Sequence, residues 1–436
     1  MRRLAERVYV VCTLVYFSAP FAPRYHAIGE SPDDPTTQSN LPLFALQAIV
    51  YAIALGYIAK WWPVFRNGLR QGKWVLVLAS LAIASAGWSE VPTFTARRAI
   101  VVFSTTMFGI YFGATFRREV QVRLLCWAFA IMAVSSVVAA VLFPDYGVDR
   151  LFHEGDWQGV YAQKNILGRL MLLGALVFVL RPGRGVWSSA ARLGGVLLCV
   201  IVLFFSGSRT SFVVLLALLV AIPVYRVAVA RRAEVGVPLL MVALLVVVGG
   251  MMWLPDNYGA LLGMLGRDET LTGRTFLWAG AVEAISAKPW LGYGYSAFWL
   301  GTTGPSRSII TDVGWGVTQA HNGYLDLCLD LGVVGLSLFV WSMWCGFLTA
   351  IKEYRPALRA SLWPFVVVSM TVIINVVEGD LFKGNGLSWA LYVSALVGTD
   401  IVAGEARGTE SPRVPARSPG RASRPAIRPR GAAPIA

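Results

Sequence analysis

The stretch TQAHNGYLDLCLDL, residues 318–331, places an imidazole, an amide and two carboxylates at the start of a long apolar run. An imidazole has an ordinary pKa of about 6.5, so at neutral pH His321 can accept a proton from a hydroxyl group. Asn322 is suited to cap a helix that begins after it, and Asp326 and Asp330 share one helical face. These carboxylates either orient the imidazole or favour the amino end of the helix. The pattern predicts a general base, although His321 taken singly is better explained as an incidental surface histidine.

Two other apolar segments are each preceded by a basic side chain. In SGSRTSF, residues 206–212, Arg209 coincides with helix amides and hydroxyls, and its planar guanidinium can hold two phosphate oxygens. In GDWQGVYAQKN, residues 155–165, Lys164 and Asn165 stand at another such boundary. Both places predict a binding site for a phosphate or a diphosphate. Taken singly, each cation is better explained as an anchor at a helix end.

The link at 255–322 is by far the longest between two apolar segments, which is typical of a functional loop. We expect it to contain a helix along the membrane surface that starts with Gly273 and Arg274 and is stopped by Pro289. Two glycines then allow a tight turn. The aromatic residues around this turn either stack on sugar rings or form the aromatic belt of a membrane protein. They are Trp290, Tyr293, Tyr295, Phe298 and Trp299.

The composition is that of an integral membrane protein. The 436 residues are 56% apolar and 14% charged, with a mean hydropathy of +0.61, which leaves too little polar surface for a soluble globule. Apolar stretches that can cross a hydrocarbon core of about 30 Å recur along nearly the whole length, without the alternation of membrane strands. We predict an all-α polytopic membrane protein with about 12 transmembrane helices and a large periplasmic loop between helices 9 and 10. The predicted spans are 8–22, 41–58, 74–86, 100–114, 124–143, 166–180, 193–205, 212–225, 237–254, 324–350, 362–377 and 387–401.

The first of these spans has an alternative interpretation. Arg2 and Arg3 precede an apolar core, which is also typical of a signal peptide. Pro23 follows the nearest small residue, Ala22, and would hinder cleavage there. The segment is therefore predicted to be a retained helix.

Basic residues divide the predicted links into two sides. With the amino terminus inside, the inner links and the tail carry most of the 38 Lys and Arg residues, as expected for a cytoplasmic face. The net charge of +14 is therefore explained by the preference for basic residues on the cytoplasmic side of a membrane protein, and no nucleic-acid partner is indicated. Residues 1–402 are predicted to form one transmembrane domain, with a periplasmic loop at 255–322. Residues 403–436 are predicted to form a disordered basic cytoplasmic tail.

All three histidines fall on the outer side, together with basic residues that break the inside preference. The spans are nearly free of ionisable groups, which disfavours a proton-coupled transporter. The five cysteines have no paired spacing, so neither a disulfide framework nor a zinc site is indicated. The pattern assigns no role to Arg97, Arg98 or Lys383. The outer basic residues that stand out in this way are Arg97, Arg98, Lys164, Arg169, Arg209, Arg274 and Lys383.

Three motifs that occur in order carry a resemblance to a known family: SGSRTSF, GRTFLW with KPWLGYGYSAF, and AHNGYLDLCLDLGVVGL. Over roughly 157–338 the chain resembles the O-antigen ligase and polysaccharide polymerase superfamily of bacterial envelope glycosyltransferases. The segment GDWQGVYAQKN is similar to its exopolysaccharide polymerase branch. The resemblance implies a location in the bacterial inner membrane, an active site facing the periplasm, and no metal or other cofactor. It also implies that a glycan moves, with inversion, from a polyprenyl (undecaprenyl) diphosphate carrier to an acceptor sugar hydroxyl.

Carried onto this sequence, the resemblance makes His321 the catalytic base. It makes Arg209 and Arg274 the diphosphate-binding arginines, with Lys164 as a less specific match. Some members of the family place a second histidine beside the base, where this chain has Ala320, so an assisting role for that neighbour is absent here. The supporting residues predicted at the helix starts are Asn165, Asn322 and Asp326.

The implied partners are a polyprenyl-diphosphate-linked glycan as donor, a glycan acceptor, and membrane lipid. A polymerase would use a carrier-linked repeat unit as acceptor and a ligase a lipid-anchored core, and the sequence leaves both open. Two other classes of protein also stay open. An exporter or flippase of lipid-linked glycans would move the carrier without consuming it. In a non-catalytic scaffold of an envelope assembly, His321 would have no role.

Overall fold

The computed structural model describes residues 2–22, 41–150, 154–230, 272–301, 304–313 and 317–398. Within these ranges the chain forms fifteen α-helices and two short 3-10 helices, with no strand beyond an isolated bridge between Val148 and Trp157. The all-α prediction is confirmed for these residues. The helices are α1 (Arg2–Tyr16), α2 (Leu41–Lys60), α3 (Trp62–Gln71), α4 (Lys73–Ala84), α5 (Pro92–Thr115), α6 (Arg118–Leu142), α7 (Pro144–Gly147), α8 (Lys164–Val179), α9 (Val186–Phe205), α10 (Arg209–Ala230), α11 (Thr272–Ala287), α12 (Arg307–Val313), α13 (Gly323–Glu353), α14 (Trp363–Ile374) and α15 (Leu387–Leu396).

Several of these helices can cross a membrane. Among the described residues five are long and apolar enough, namely α5, α6, α9, α10 and α13, and α2 with α3 forms a sixth if the bent pair counts as one span. The chain is therefore a multi-pass membrane protein. The number of about 12 transmembrane helices and the periplasmic position of the 255–322 loop stay predictions.

Most predicted spans coincide with a helix of the structure. Eleven of them do, and the segment 237–254 lies outside the described residues. The first span differs in its end, because α1 stops at Tyr16 and is followed by a turn with left-handed residues at Ala19 and Phe21. Helix α3 was not predicted, because its sequence WPVFRNGLRQ is too polar to form an apolar run. It begins with a proline in its first turn and bends away from α2 by 101°.

Two glycines let the central helices α5 and α15 approach closely. A Cβ at Gly109 would come 2.8 Å from the carbonyl oxygen of Ala390, and a Cβ at Gly113 would come 2.7 Å from that of Ser394. Small residues spaced by one turn are typical of close helix packing in membranes. All of α14 and nearly all of α15 are buried, so these two short helices form the centre of the bundle.

Polar contacts mark one end of the bundle. Arg118, at the start of α6, pairs with Glu353 at the end of α13 at 2.7 Å, and it donates to the Val397 carbonyl just after α15 at 2.8 Å. Lys60, at the end of α2, pairs with Glu6 at 3.1 Å. The basic residues at this end are among those predicted to face the cytoplasm. The starts of α5, α8, α10, α13 and α15 lie at the opposite end, where the predicted site residues are found.

Helix α13 is broken within its apolar run. Gly332 has φ 64° and ψ −167°, which interrupts the helix between its first two turns and its long remainder. The segment after Pro289 fills this break. The amide of Val333 donates to the Pro289 carbonyl at 2.8 Å, and the amide of Tyr293 donates to the Leu329 carbonyl at 2.8 Å. The irregular backbone groups of both segments are thereby satisfied, as burial requires.

Candidate active site

Asn322 caps α13, as the sequence predicted. Its side-chain oxygen accepts hydrogen bonds from the amides of Tyr324 at 3.0 Å and Leu325 at 3.2 Å. His321 directly precedes this cap and has a left-handed backbone with φ 52°, which is uncommon for a residue other than glycine. The Nδ1 atom of the imidazole is buried. The predicted base therefore stands on a bend at the start of a helix.

Asp326 holds this bend through Ala320. Its Oδ1 atom accepts a hydrogen bond from the Ala320 amide at 2.8 Å and another from the Trp299 indole at 2.9 Å. The Ala320 carbonyl in turn accepts from the indole of Trp278, on α11, at 2.9 Å. Both backbone groups of the residue before His321 are thus fixed. Through these contacts Asp326 positions the backbone that carries the imidazole. Such positioning is what its predicted supporting role requires.

A polar cavity opens beside this bend. It has a volume of about 430 Å³ and lies between the first turns of α13, the start of α5, and the loops before α13 and before α15. This size is within the usual range for a small-molecule site. The polar residues on its wall include Arg98, Gln319, Asp326, Asp330, Lys383 and Asn385.

Uncommon backbone conformations cluster around the cavity. Ser296, Phe382 and Asn385 line it and have φ values of 57°, 55° and 54°. His321, with φ 52°, stands between the lining residues Gln319 and Asp326. Left-handed conformations cost about 1–3 kcal/mol each in residues other than glycine, and they collect at functional sites. Their grouping makes this cavity a candidate functional site among the described residues.

The aromatic residues of the 290–299 segment do not offer free faces to sugars, with one exception. Tyr293, Tyr295, Phe298 and Trp299 are all less than a tenth exposed, whereas Trp290 is 70% exposed. The expectation of an open stacking surface is therefore corrected for these four residues, because they pack into the core under the loop. Tyr295 and Trp299 still line the cavity. Burial raises the pKa of the Tyr293 hydroxyl, which donates to the Ala284 carbonyl at 3.0 Å.

A second cluster gathers Lys164, Asn165 and Arg209. Lys164 begins α8, with Asn165 in the same first turn, and Arg209 begins α10, as predicted. The two starts are held together because Gly168 of α8 packs against Ser208 at the start of α10. Arg209 is exposed to the surroundings.

Lys164 is not an open cation in this cluster. Its ammonium group pairs with Asp156 at 2.7 Å, and only 15% of the side chain is exposed. Asp156 in turn lies against Gly207, in the turn between α9 and α10, and Trp157 stacks on Phe205 at 4.6 Å between ring centroids. Asp156 and Trp157 therefore hold the 155–165 link against the turn before Arg209, and Lys164 pairs with Asp156 within that link.

A chain of contacts joins this cluster to the start of α13. Arg169 of α8 pairs with Asp380 at 3.1 Å, and both side chains are mostly buried. The Asp380 amide donates to the side-chain oxygen of Asn375 at 2.9 Å, and the Asn375 carbonyl accepts from the Gly323 amide at 2.8 Å. The Arg209 cluster and the His321 bend therefore lie at the same end of the bundle, although Arg209 does not line the described cavity.

Arg274 lies in the first turn of α11, and its side chain is outside the described residues. Its position is one helical turn before Trp278, the residue that donates to the Ala320 carbonyl. The start of α11 is thus anchored beside the His321 bend. Helix α11 ends before Pro289, as predicted, and Gly292 and Gly294 take left-handed conformations in the turn that follows.

Several cavity residues had no role in the sequence analysis. Arg98 and Lys383 were visible as basic residues on the outer side, but their meeting at one cavity depends on the packing of α5 beside the loop before α15. Gln319 was not predicted to belong to a site, because an amide side chain in a polar link is common and indicates no particular function. The described residues contain no group of three or more His, Cys, Asp or Glu side chains that could hold a metal ion.

Comparison with known proteins places this site within a recognised sequence pattern. The sequence model of the O-antigen ligase family matches residues 194–340. The predicted resemblance is confirmed. This O-antigen ligase-like region contains Arg209, Arg274, His321, Asn322 and Asp326, together with the cavity residues between Tyr295 and Asp330. Lys164 and the cavity residues on α2, on α5 and in the loop before α15 lie outside it.

Two relatives extend the comparison. The exopolysaccharide production protein ExoQ of Rhizobium meliloti (strain 1021) is 28% identical over 363 residues, which cover 78% of this chain and 82% of that protein. An O-antigen ligase of Pseudomonas aeruginosa is 33% identical over 112 residues, which cover 24% of this chain and 26% of that protein. The similarity to ExoQ therefore reaches well beyond the O-antigen ligase-like region.

Proposed function

We propose that this protein transfers a glycan from a polyprenyl diphosphate carrier to an acceptor sugar hydroxyl during assembly of an envelope or extracellular polysaccharide. The observation that carries the proposal is His321 on its strained bend beside a polar cavity, at the same end of the bundle as the Arg209 cluster. The similarity to the O-antigen ligase family supports the same reaction class. In this proposal the site faces the periplasm across the bacterial inner membrane.

His321 acts as the general base of the proposed reaction. It takes the proton from the acceptor hydroxyl, and the acceptor oxygen attacks the anomeric carbon of the donor sugar. A new glycosidic bond forms as the bond between that carbon and the diphosphate oxygen breaks, and its electron pair leaves with the diphosphate. A single displacement of this kind inverts the anomeric configuration, and no metal takes part in it.

Arg209 and Arg274 stabilise the departing diphosphate in this mechanism. Negative charge on the leaving group grows as its bond breaks, so fixed cations contribute most in the transition state. In this mechanism Lys164 supports the turn before Arg209 through its pair with Asp156, which lies against Gly207. Asn165 belongs to the same helix start. Asp326 and Asn322 keep the His321 bend in place.

One of the two relatives is named an exopolysaccharide production protein, and the other is named an O-antigen ligase. A polymerase and a ligase would share the donor, the base and the cations proposed here. They would differ in acceptor, which is a carrier-linked repeat unit for the first and a lipid-anchored core for the second. The similarity to ExoQ over most of both chains favours a role in exopolysaccharide production, which leaves the acceptor to be determined by experiment.

The test is transfer by purified protein in lipid vesicles, supplied with a carrier-linked donor and each acceptor in turn. His321→Ala should lower the rate by about 10²- to 10⁴-fold, the usual contribution of a general base, with unchanged protein abundance. His26→Ala and His153→Ala, which remove the other two histidines, serve as matched controls and should keep full activity. Full activity of His321→Ala would end the proposal. Movement of labelled donor across the membrane without a new glycosidic bond would favour an exporter instead.

A further inference from the structure

The cavity beside His321 carries charges of both signs. Asp326 and Asp330 line it together with Arg98 and Lys383, so the formal charges of its wall cancel. Two carboxylates disfavour a diphosphate at close range, where charges interact most strongly. Carboxylates, amides and ammonium groups are good hydrogen-bond partners for hydroxyl groups. The wall therefore suits a polyhydroxylated ring better than the leaving group of the donor.

One carboxylate oxygen of Asp326 has no hydrogen bond to the residues that the structure describes. Its Oδ1 atom is taken by the Ala320 amide and the Trp299 indole. Its Oδ2 atom is buried and accepts no hydrogen bond from any residue that the structure describes. A buried carboxylate oxygen requires a donor, and the hydroxyl of a bound molecule can supply it.

Gln319 and Lys383 stand beside this oxygen. The Lys383 ammonium group donates to the Gln319 side-chain oxygen at 2.8 Å, which ties the segment before His321 to the loop before α15. The Gln319 oxygen and Asp326 Oδ2 both face Gly379, because a Cβ there would come within 2.7 Å and 2.5 Å of them. The remaining ammonium hydrogens of Lys383 can donate to ring or hydroxyl oxygens of a sugar.

We propose that this cavity is the acceptor subsite and binds one hydroxyl-rich sugar ring, with Asp326 Oδ2 accepting from a hydroxyl and Lys383 donating to an oxygen of the same ring. The inference rests on the proposed function and assigns the two halves of the reaction to two places. The donor diphosphate binds on the side of Arg209, outside the cavity.

The position of His321 explains why the sugar in the cavity is the acceptor. Gln319 and Asp326 line the cavity and flank His321 in the chain, at the bend that carries the imidazole. A ring held between them presents its hydroxyls to the base. The donor sugar has no hydroxyl that the base must deprotonate, because its reacting atom is the anomeric carbon.

Direct binding separates this inference from the transfer reaction. The probe is the oligosaccharide repeat unit released by mild acid from the lipid-linked intermediates of the same cells, titrated onto the purified full chain. Asp326→Asn keeps one oxygen for Ala320 and Trp299 but replaces the free oxygen by an amide, and affinity should fall about tenfold or more. Lys383→Ala should show a loss of similar size.

Lys288→Ala is the matched control. Lys288 is a partly exposed lysine at the same end of the bundle, paired with Glu90 at 3.2 Å, and it does not line the cavity. Its removal should leave oligosaccharide affinity unchanged. Inorganic pyrophosphate should not compete with the oligosaccharide, because the two bind in different places.

Each part of the outcome has a separate meaning. Unchanged affinity in both Asp326→Asn and Lys383→Ala, or competition by pyrophosphate, would overturn the acceptor subsite even if transfer is observed. Oligosaccharide binding with these losses, in a protein that forms no glycosidic bond with any donor, would keep the subsite as a glycan-binding site and reject the transferase.

Discussion

The backbone of His321 is fixed from both sides by its neighbours. Ala320 is held through its amide by Asp326 and through its carbonyl by Trp278, and Asn322 caps the helix that follows. A left-handed residue costs about 1–3 kcal/mol, which these hydrogen bonds offset. A base on such a support keeps its orientation while substrates enter and leave.

Arg209→Lys tests the role of the guanidinium at this scale. The change keeps the charge but removes the planar pair of donors, so the transfer rate should fall about ten- to hundredfold. The measurement is the rate of product formation at saturating acceptor, with donor affinity determined separately. Arg226→Lys, at the other end of the same helix, is the matched control and should be silent. Equal rates for both variants would identify Arg209 as a structural residue.

The sequence predicted some residue contacts and missed others for a physical reason. A cap such as Asn322 acts on the next two or three amides along the chain, so local order suffices to predict it. Asp326 was expected to act on the imidazole or on the helix end. It lies in the first turn of α13, as the second of these expectations requires, and it also bonds to Ala320 and Trp299. The contact with Trp299 depends on a turn folded from the 255–322 link.

Helix α13 and the 289–294 segment form one unit at the scale of elements. The amide of Val334 donates to the Trp290 carbonyl at 3.3 Å, and the amide of Gly294 donates to the Asp330 carbonyl at 3.0 Å. Apolar runs predicted where helices lie, because burial in lipid needs length and hydropathy alone. The break at Gly332 was not predicted, because the sequence DLGVVG taken alone is compatible with a continuous apolar helix. The break becomes evident only when the segment after Pro289 is positioned against it.

Gly332→Ala tests this unit. A Cβ at Gly332 would collide with the Trp290 carbonyl, and the backbone conformation there is one that only glycine adopts readily. We expect a loss of about 1–3 kcal/mol in the free energy of unfolding and a clear loss of transfer, since the segment that carries Tyr295 and Trp299 is displaced. Thermal unfolding in detergent and the vesicle transfer assay measure the two effects.

Gly194→Ala provides the control for that comparison. Gly194 lies within α9, and no atom comes within 4 Å of a Cβ placed there. Alanine favours a helix over glycine by about 1 kcal/mol, so this variant should be neutral or slightly more stable. A Gly332→Ala protein as stable and active as Gly194→Ala would show that the break is not needed.

The two ends of the bundle differ in chemistry at the scale of the whole molecule. One end carries the Arg118–Glu353 and Lys60–Glu6 pairs, and the other carries the cavity and the Arg209 cluster. Charge counting along the chain predicted which basic residues share a side, because lipid forces every link to one of two faces. It could not predict the partners of these residues within a face.

Cysteine labelling tests the proposed orientation of these ends. In a variant without the five native cysteines, Ser286→Cys near the site should react with a membrane-impermeant maleimide in spheroplasts. Ser189→Cys, at the start of α9, should react only after the membrane is broken. Both serines are exposed, so access alone decides the result. The reverse labelling pattern would place the site in the cytoplasm.

Helices α9 and α10 are the least covered candidate spans in the described part of the chain. Only 17% and 28% of their apolar windows are buried within the protein. Arg209 begins α10, so a headgroup bound there would lie beside two helices that the other described residues leave largely uncovered. A carrier with a very long hydrocarbon tail could then enter the site laterally from the bilayer and leave by the same route, while its tail stays in the lipid.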